Sequence, residues 1–249
     1  MEEKRSGDLG ARPVLIVKAG STLPEVKAVR GDFEAWISNG LALPEFLRIK
    51  TAAIFKGESL PDPVDLSGVV VTGSPAMVSD REPWSENAVA WLRQVLDADV
   101  PCLGICYGHQ LLARAAGADV GRNPRGRQIG TVEVRMRGQL ENPLFSVLPD
   151  RAFVQATHLE SVLGPPPGAT IYGTTPLDPY HAFALRKYAF GVQFHPEFDA
   201  QIMCAYIDGR REILREENLE PEALRQAVQT TPLGGALLRR FGELIATNA

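Results

Sequence analysis

Two short stretches carry residue types that together could open an acyl bond. Gly104-Ile105-Cys106-Tyr107-Gly108 is a G-x-C-x-G sequence lying between a short apolar run, Pro101 to Ile105, and a helical pattern that starts at Tyr107 and ends before Gly117. It is the cysteine counterpart of a nucleophile elbow: the flanking glycines permit a strained strand-to-helix turn and close backbone approach, which leaves the side chain at the tip above the sheet. A sulfur there would face the amino end of a helix, where the dipole and free N–H groups favour negative charge and a developing oxyanion. The competing role for Cys106 is that of a buried small hydrophobe, the commonest fate of a free cysteine. Cys102, inside the strand, and Cys204, on a later helix, are read that way.

A nucleophilic sulfur needs a base, and four histidines are available: His109, His158, His181 and His195. His195 stands in Gly191-Val-Gln-Phe-His-Pro-Glu-Phe198. Pro196 pushes the residue before it toward extended geometry, and in extended backbone residues two apart share a side. Glu197 is thereby brought beside His195 as the orienting carboxylate of a nucleophile, base and orienter set. A structural histidine at a strand end is the alternative. His109, three residues after Cys106 on the helix, is a competing base, but it has no adjacent carboxylate. The histidines and cysteines show no zinc-type spacing and there is no phosphate-binding loop of the G-x-x-x-x-G-K-S/T type. Neither a metal nor any other cofactor is expected.

The elements that must position these residues follow from hydropathy. Val14 to Lys18, Ala52 to Phe55, Gly68 to Thr72 and Pro101 to Ile105 read as buried strands, and Phe33 to Leu47, interrupted by Gly40 and Pro44, as helical. Ser79 to Glu82 has capping-box spacing ahead of the stripe Ala88, Trp91, Leu92, Val95 and Leu96 of an amphipathic helix. Strand and helix in alternation imply an α/β fold of three layers, a mostly parallel central sheet with helices on both faces. In the second half Val132, Val134 and Met136 alternate with charged residues, and Ala182 to Phe194 reads as two strands turning near Arg186-Lys187. Together these predict a half-exposed antiparallel extension. From Asp199 the tail reads as two or three helices, broken at Asn218 to Pro221 and at Pro232 to Gly235. Residues 1–12 read as a disordered lead-in and 13–249 as one domain with a C-terminal helical extension from about 199.

With 249 residues, 26 Lys+Arg against 30 Asp+Glu and a net charge of −4, the composition is that of a soluble globular protein. There is no basic run to suggest nucleic acid or an anionic membrane, and no apolar stretch of about 18 residues to span one. Three cysteines, an odd number, argue against a disulfide framework and for the cytoplasm.

Taken together, Pro101-Cys-Leu-Gly-Ile-Cys-Tyr-Gly-His-Gln-Leu-Leu-Ala113 and Gly191-Val-Gln-Phe-His-Pro-Glu-Phe198 resemble the class I glutamine amidotransferases, with the stand-alone, GMP synthase-like type as the nearest pattern. The resemblance spans roughly Val14 to Phe198. It implies Cys106 as nucleophile, His195 as general base and acid, Glu197 as orienter, Gln110 as a substrate-binding residue, and the backbone N–H groups of Gly73 and Tyr107 as the oxyanion hole. The sequence departs from the family at Gly73-Ser74-Pro75, where many members carry a double glycine. It departs again at Ala156-Thr-His-Leu-Glu-Ser161, where relatives often have Ser-His-x-Asp; His158 and Glu160 there read equally as site residues or as an ordinary loop. No function is assigned to Arg122, Arg125 and Arg127. What the resemblance implies is a glutaminase that passes ammonia to a separate synthetase subunit, since only helix follows the second motif. The rival readings are a freestanding γ-glutamyl hydrolase or peptidase and a binding module that has lost catalysis.

Overall fold

The computed structural model describes residues 11–249. Eleven strands and eight α-helices form among them: β1 Val14–Lys18, α1 Pro24–Arg30, α2 Phe33–Leu41, β2 Ile49–Ala53, β3 Gly68–Val71, α3 Pro83–Asp97, β4 Cys102–Ile105, α4 Tyr107–Ala115, β5 Val120–Arg122, β6 Gln128–Met136, β7 Arg151–His158, β8 Glu160–Val162, β9 Ala169–Thr174, β10 Ala182–Leu185, β11 Ala189–Val192, α5 Ala200–Asp208, α6 Arg211–Glu216, α7 Pro221–Gln226 and α8 Pro232–Asn248. Nine strands make one sheet in the order β2-β1-β3-β4-β11-β10-β9-β6-β7, and β5 pairs with β8 apart from it. From β2 to β11 the pairs are parallel; from β11 to β7 they are antiparallel.

Side chains of the parallel strands alternate between two cores, as the pleat requires. Val14, Ile16, Val70, Leu103 and Ile105 face one core with Phe33, Ile37, Leu41, Phe241 and Ile245 of α2 and α8. Leu15, Val17, Val69, Val71 and Cys102 face the other, with Trp91, Leu92 and Val95 of α3 and Leu111 and Leu112 of α4. The result is the expected three-layer α/β fold with an antiparallel extension and C-terminal helices. Among the described residues no helix is long and apolar enough to cross a membrane.

Several expectations are corrected. The second strand is Ile49–Ala53, and Ile54–Lys56 is a 3₁₀ turn; β2 is an edge strand whose Lys50 and Thr51 are exposed, so only its end carries an apolar signal. The capping box does not form. Val78–Asp80 is a 3₁₀ turn, and α3 starts at Pro83 with Glu82 before it making no side-chain cap, because proline at the first helical position already has the helical φ. β10 and β11 are wholly buried, not half-exposed, since β11 pairs with β4 in the middle of the sheet. The tail holds four helices. Asn218, at φ 59, breaks it as expected, but Pro232 to Gly235 opens α8. Helix α1 was not read from the sequence. The expected lead-in falls largely outside the described residues; Arg12, within them, donates to Val64 O at 3.0 Å.

Candidate active site

The parallel strands end at one end of the sheet, and the residues singled out by motif lie in the loops that leave it or in the first turn of α4, as is usual for open parallel sheets. β4 ends at Ile105, and Cys106 turns the chain into α4 with φ 51 and ψ −99. A non-glycine residue rarely takes a positive φ, and such strain, about 1–3 kcal/mol, persists only where the surroundings enforce it. Here the close approach of strand and helix enforces it: a Cβ on Gly104 would lie 2.4 Å from Gly108 O, and one on Gly108 2.4 Å from Val71 O. The Cys106 N–H donates to Val192 O at 2.9 Å and the Gly108 N–H to Thr72 O at 3.2 Å, so the turn is tied to both neighbouring strands.

His195 follows β11, its N–H bonded to Gln155 O at 2.7 Å. Its Nδ1 meets Glu197 Oε1 at 2.8 Å, and both side chains are buried. The imidazole is stacked on Phe198, with ring centroids 4.1 Å apart, and faces Phe33 at 6.1 Å. Burial alone would favour the neutral ring; the Glu197 carboxylate and the Cys106 sulfur outweigh it and push the pKa up to about 10. The backbone N–H of Tyr107, first residue of α4, has no carbonyl one turn earlier in the helix to bond. Gly73, two residues past β3, lies so close to His195 that an added Cβ would sit 2.8 Å from Cε1.

The cleft has two lobes meeting at Cys106. One, of about 60 Å³, is lined by Tyr107, Gln110, Glu160 and Arg127 among others. The other, of about 150 Å³, is lined by His195, Phe33, Leu23 and Tyr206. Gln110 is buried, its amide nitrogen donating to Glu160 O at 2.8 Å and Gln193 Oε1 at 3.1 Å. His158 and Glu160 reach the smaller lobe, and neither is loose: His158 Nδ1 is 2.9 Å from Glu160 O, and the Glu160 carboxylate accepts from Val78 N at 2.7 Å.

His109 is elsewhere. It lies beneath the sheet, fully buried, 4.6 Å from the Phe183 ring, with burial lowering its pKa to about 3. Cys102 is buried in β4, its thiol pushed up to about 12 by desolvation, and Cys204 is half-buried in α5. Spacing along the chain did not reveal His158, Asp178 and His181, which place one potential ligand atom each within 4.8 Å of one another in the interior. There Asp178 Oδ2 lies 3.6 Å from His181 Nδ1.

Several residues at the cleft were given no role from sequence, among them Leu23, Phe33, Tyr206, Arg127 and Arg210, as was Phe198, which stacks on His195. Phe198 stood inside the quoted motif, and Arg127 inside the arginine cluster. Arg127 is paired with Glu217 through two contacts at 2.7 and 3.0 Å. Phe33 and Arg210 carry no local signal.

Comparison with known proteins bears on this geometry. The family model for glutamine amidotransferase class-I matches residues 47–206, more than half of the chain. The GMP synthase [glutamine-hydrolyzing] of Aeropyrum pernix is 40% identical over 141 residues, which are 57% of this chain and 25% of that protein. A GMP synthase [glutamine-hydrolyzing] subunit of Archaeoglobus fulgidus is 34% identical over 134 residues, covering 53% of this chain and 67% of that one. A glutamine amidotransferase-like protein of Schizosaccharomyces pombe is 24% identical over 86% of this chain and 91% of its own. The chain thus spans about a quarter of the length of the Aeropyrum GMP synthase. Among solved structures, a glutamine amidotransferase of Thermotoga maritima has the same fold, with TM-score 0.74, 24% identity and coverage of 94% of this chain and 98% of that one. On the family match, the chain belongs to the class I glutamine amidotransferases.

Proposed function

We propose that the protein hydrolyses the side-chain amide of glutamine through a γ-glutamyl thioester on Cys106, with the ammonia taken up by a separate synthetase subunit. One observation carries this reading: Cys106 stands at the strained elbow and shares a cavity wall with His195, whose ring is held by Glu197. His195 takes the Cys106 thiol proton as the sulfur attacks the amide carbon, and negative charge gathers on the carbonyl oxygen within reach of the N–H groups of Tyr107 and Gly73. His195 gives its proton to the departing nitrogen, the C–N bond breaks and ammonia leaves. Water then attacks the thioester carbon as His195 takes its proton; the C–S bond breaks, glutamate is released and the thiol is restored. Glu197 keeps the ring in the orientation both steps need. Gln110, fixed at the wall of the smaller lobe, positions the glutamyl portion.

The Archaeoglobus relative, one subunit of a GMP synthase, supports a separate synthetase partner. Three free cysteines fit a reducing compartment, the cytoplasm. An electrophilic glutamine analogue tests the reading. It should label the protein once, on Cys106, and Cys106→Ala should abolish glutamate release while Cys102→Ala and Cys204→Ala retain it. Labelling at another residue, or an active Cys106→Ala protein, refutes the nucleophile. A second reading, γ-glutamyl hydrolase activity on larger substrates, is favoured by the size of the lobe beside His195.

A further inference from the structure

In acyl transfer at Cys106 the departing nitrogen takes its proton from His195, so any group attached to that nitrogen must enter the lobe on the His195 side. That lobe measures about 150 Å³. A water-sized molecule needs only about 10–15 Å³ of such space, so ammonia leaves most of it unfilled. Leu23, Pro24, Phe33 and Tyr206 give it largely apolar walls.

One cation faces both lobes. Arg210, at the junction of α5 and α6, lies with its guanidinium 4.6 Å from the centre of the Tyr206 ring. The Tyr206 hydroxyl is fixed in turn by Thr22 Oγ1 at 2.6 Å. Nη1 of Arg210 is buried and has no hydrogen-bond partner. Among the described residues no carboxylate stands within ion-pair distance of it, whereas Arg127 nearby is matched by Glu217. Arg210 is half-buried, and a guanidinium nitrogen withdrawn from water without a partner is costly; a planar carboxylate is the partner the fork fits best.

We infer that the lobe beside His195 is a leaving-group subsite for an amino acid, that Arg210 binds its carboxylate, and that the protein cleaves γ-glutamyl dipeptides as well as glutamine. The inference rests on the Cys106 chemistry proposed above. The thiolate attacks the γ-carbonyl carbon, the isopeptide C–N bond breaks, and the free amino acid departs with the proton from His195. Water resolves the thioester to glutamate and thiol, so one dipeptide and one water give two amino acids. The apolar walls suit a small aliphatic side chain.

The test compares kcat/KM of the full chain for γ-glutamyl-alanine, γ-glutamyl-alaninamide and glutamine, in wild type, Arg210→Gln and Arg210→Lys. Wild type should prefer the free acid to its amide by about 10- to 100-fold, the value of one hydrogen-bonded charge pair. In Arg210→Gln that preference should fall to within about twofold of one, and Arg210→Lys should restore part of it. An unchanged preference in Arg210→Gln, or none in wild type, overturns the inference. So does an equal loss on all three substrates, which would assign Arg210 to the glutamyl carboxylate, and so does turnover of glutamine without cleavage of either dipeptide. Labelling of Cys106 by the electrophilic glutamine analogue, run on every variant, reports the acyl chemistry separately: labelled protein with no acid preference refutes the subsite alone, and unlabelled wild type refutes the proposed function.

Discussion

Replacing Gly73 by alanine tests whether the position of the His195 ring limits turnover. The added Cβ would lie 2.8 Å from His195 Cε1, and ordinary contact begins at 3.4 Å, so one partner must yield by about 0.6 Å. The ring is packed against Phe198 at 4.1 Å, has Phe33 beside it at 6.1 Å, and is tethered to Glu197 at 2.8 Å. The glycine has little more freedom. Thr72 Oγ1 donates to Gly73 O at 2.8 Å and accepts from Ala19 N at 3.0 Å, and the next residues, Ser74 and Pro75, press against Gly20. A displacement of about 1 Å at a reacting group costs on the order of 10²-fold. Gly73→Ala should therefore lower kcat by about 10- to 100-fold, with KM changed far less, because the misplaced groups act chiefly in the transition state. Overpacking of this kind costs about 1–3 kcal/mol, so the protein should remain folded at 25 °C. A coupled assay of glutamate release, with thermal denaturation alongside, reads both quantities. Activity within twofold of wild type would show that the ring moves freely and would refute the reasoning.

Three further outcomes are expected. His195→Asn should reduce kcat by 10²-fold or more, as loss of a general base does, whereas His109→Asn, buried against Phe183, should act on stability; the reverse ranking by kinetics and melting would overturn the assignment of the base. Glu197→Gln removes the carboxylate that helps raise the His195 pKa to about 10, so the imidazolium is lost at lower pH and the alkaline limb of the kcat profile should move toward neutrality; a limb that stays in place refutes this. Asp32 is buried, accepts from Lys18 at 2.7 Å and from Thr22 N and Phe33 N at 2.9 Å, and caps α2. Asp32→Ala should cost about 3 kcal/mol at pH 7, roughly 6–12 °C in Tm. Burial works against the Asp32 carboxylate, but Lys18 and the backbone donors hold its pKa down to about 2. Its contribution is therefore present above the ordinary carboxylate pKa and lost as pH falls toward 2, and Tm measured from pH 2 to 7 should show the gap between variant and wild type closing at the acid end.

The elbow was legible because its glycine pattern is local, even though only Gly104 answers to a near neighbour, Gly108, whereas Gly108 answers to Val71 of the adjacent strand. The pairing of His195 with Glu197 was also legible, but its cause differs from the extended period expected: Pro196 and Glu197 form a turn in which Phe198 N–H donates to His195 O at 3.3 Å, and that turn brings the carboxylate to the ring. Two errors arose where the deciding contact was remote, and one where a neighbouring proline overrode the motif. β11 looked half-exposed because nothing in Ala189–Val192 announces that β4 will pair with it. Gly234 and Gly235 looked like a helix break, yet a Cβ on Gly234 would lie 2.6 Å from Pro196 O, so the glycine lets α8 pack against the segment that carries His195. Serine and glutamate at 79 and 82 matched a capping box, but proline at 83 placed the helix start one turn later.

Arg210 and Arg211 show most clearly where local reasoning ends. They are adjacent and identical in type, and the sequence offers no ground for separating them. Arg211 turns outward, pairing with Asp208 and Glu222 at 2.7 Å, and Glu222 also takes Arg215 while Asp208 takes Arg225. Each such exposed pair contributes little to stability, but together they join the end of α5 to α6 and α7. That junction fixes the chain on both sides of Arg210, whose side chain runs inward over Tyr206 to the cleft. A cation with no carboxylate of its own is thus carried to the proposed nucleophile by a tail whose sequence reads only as amphipathic helix. If the subsite assignment is right, loosening the junction by Asp208→Ala should erode the preference for the free acid over its amide without touching a cleft residue. An intact preference in that variant would mean that packing on Tyr206 alone sets the position of Arg210.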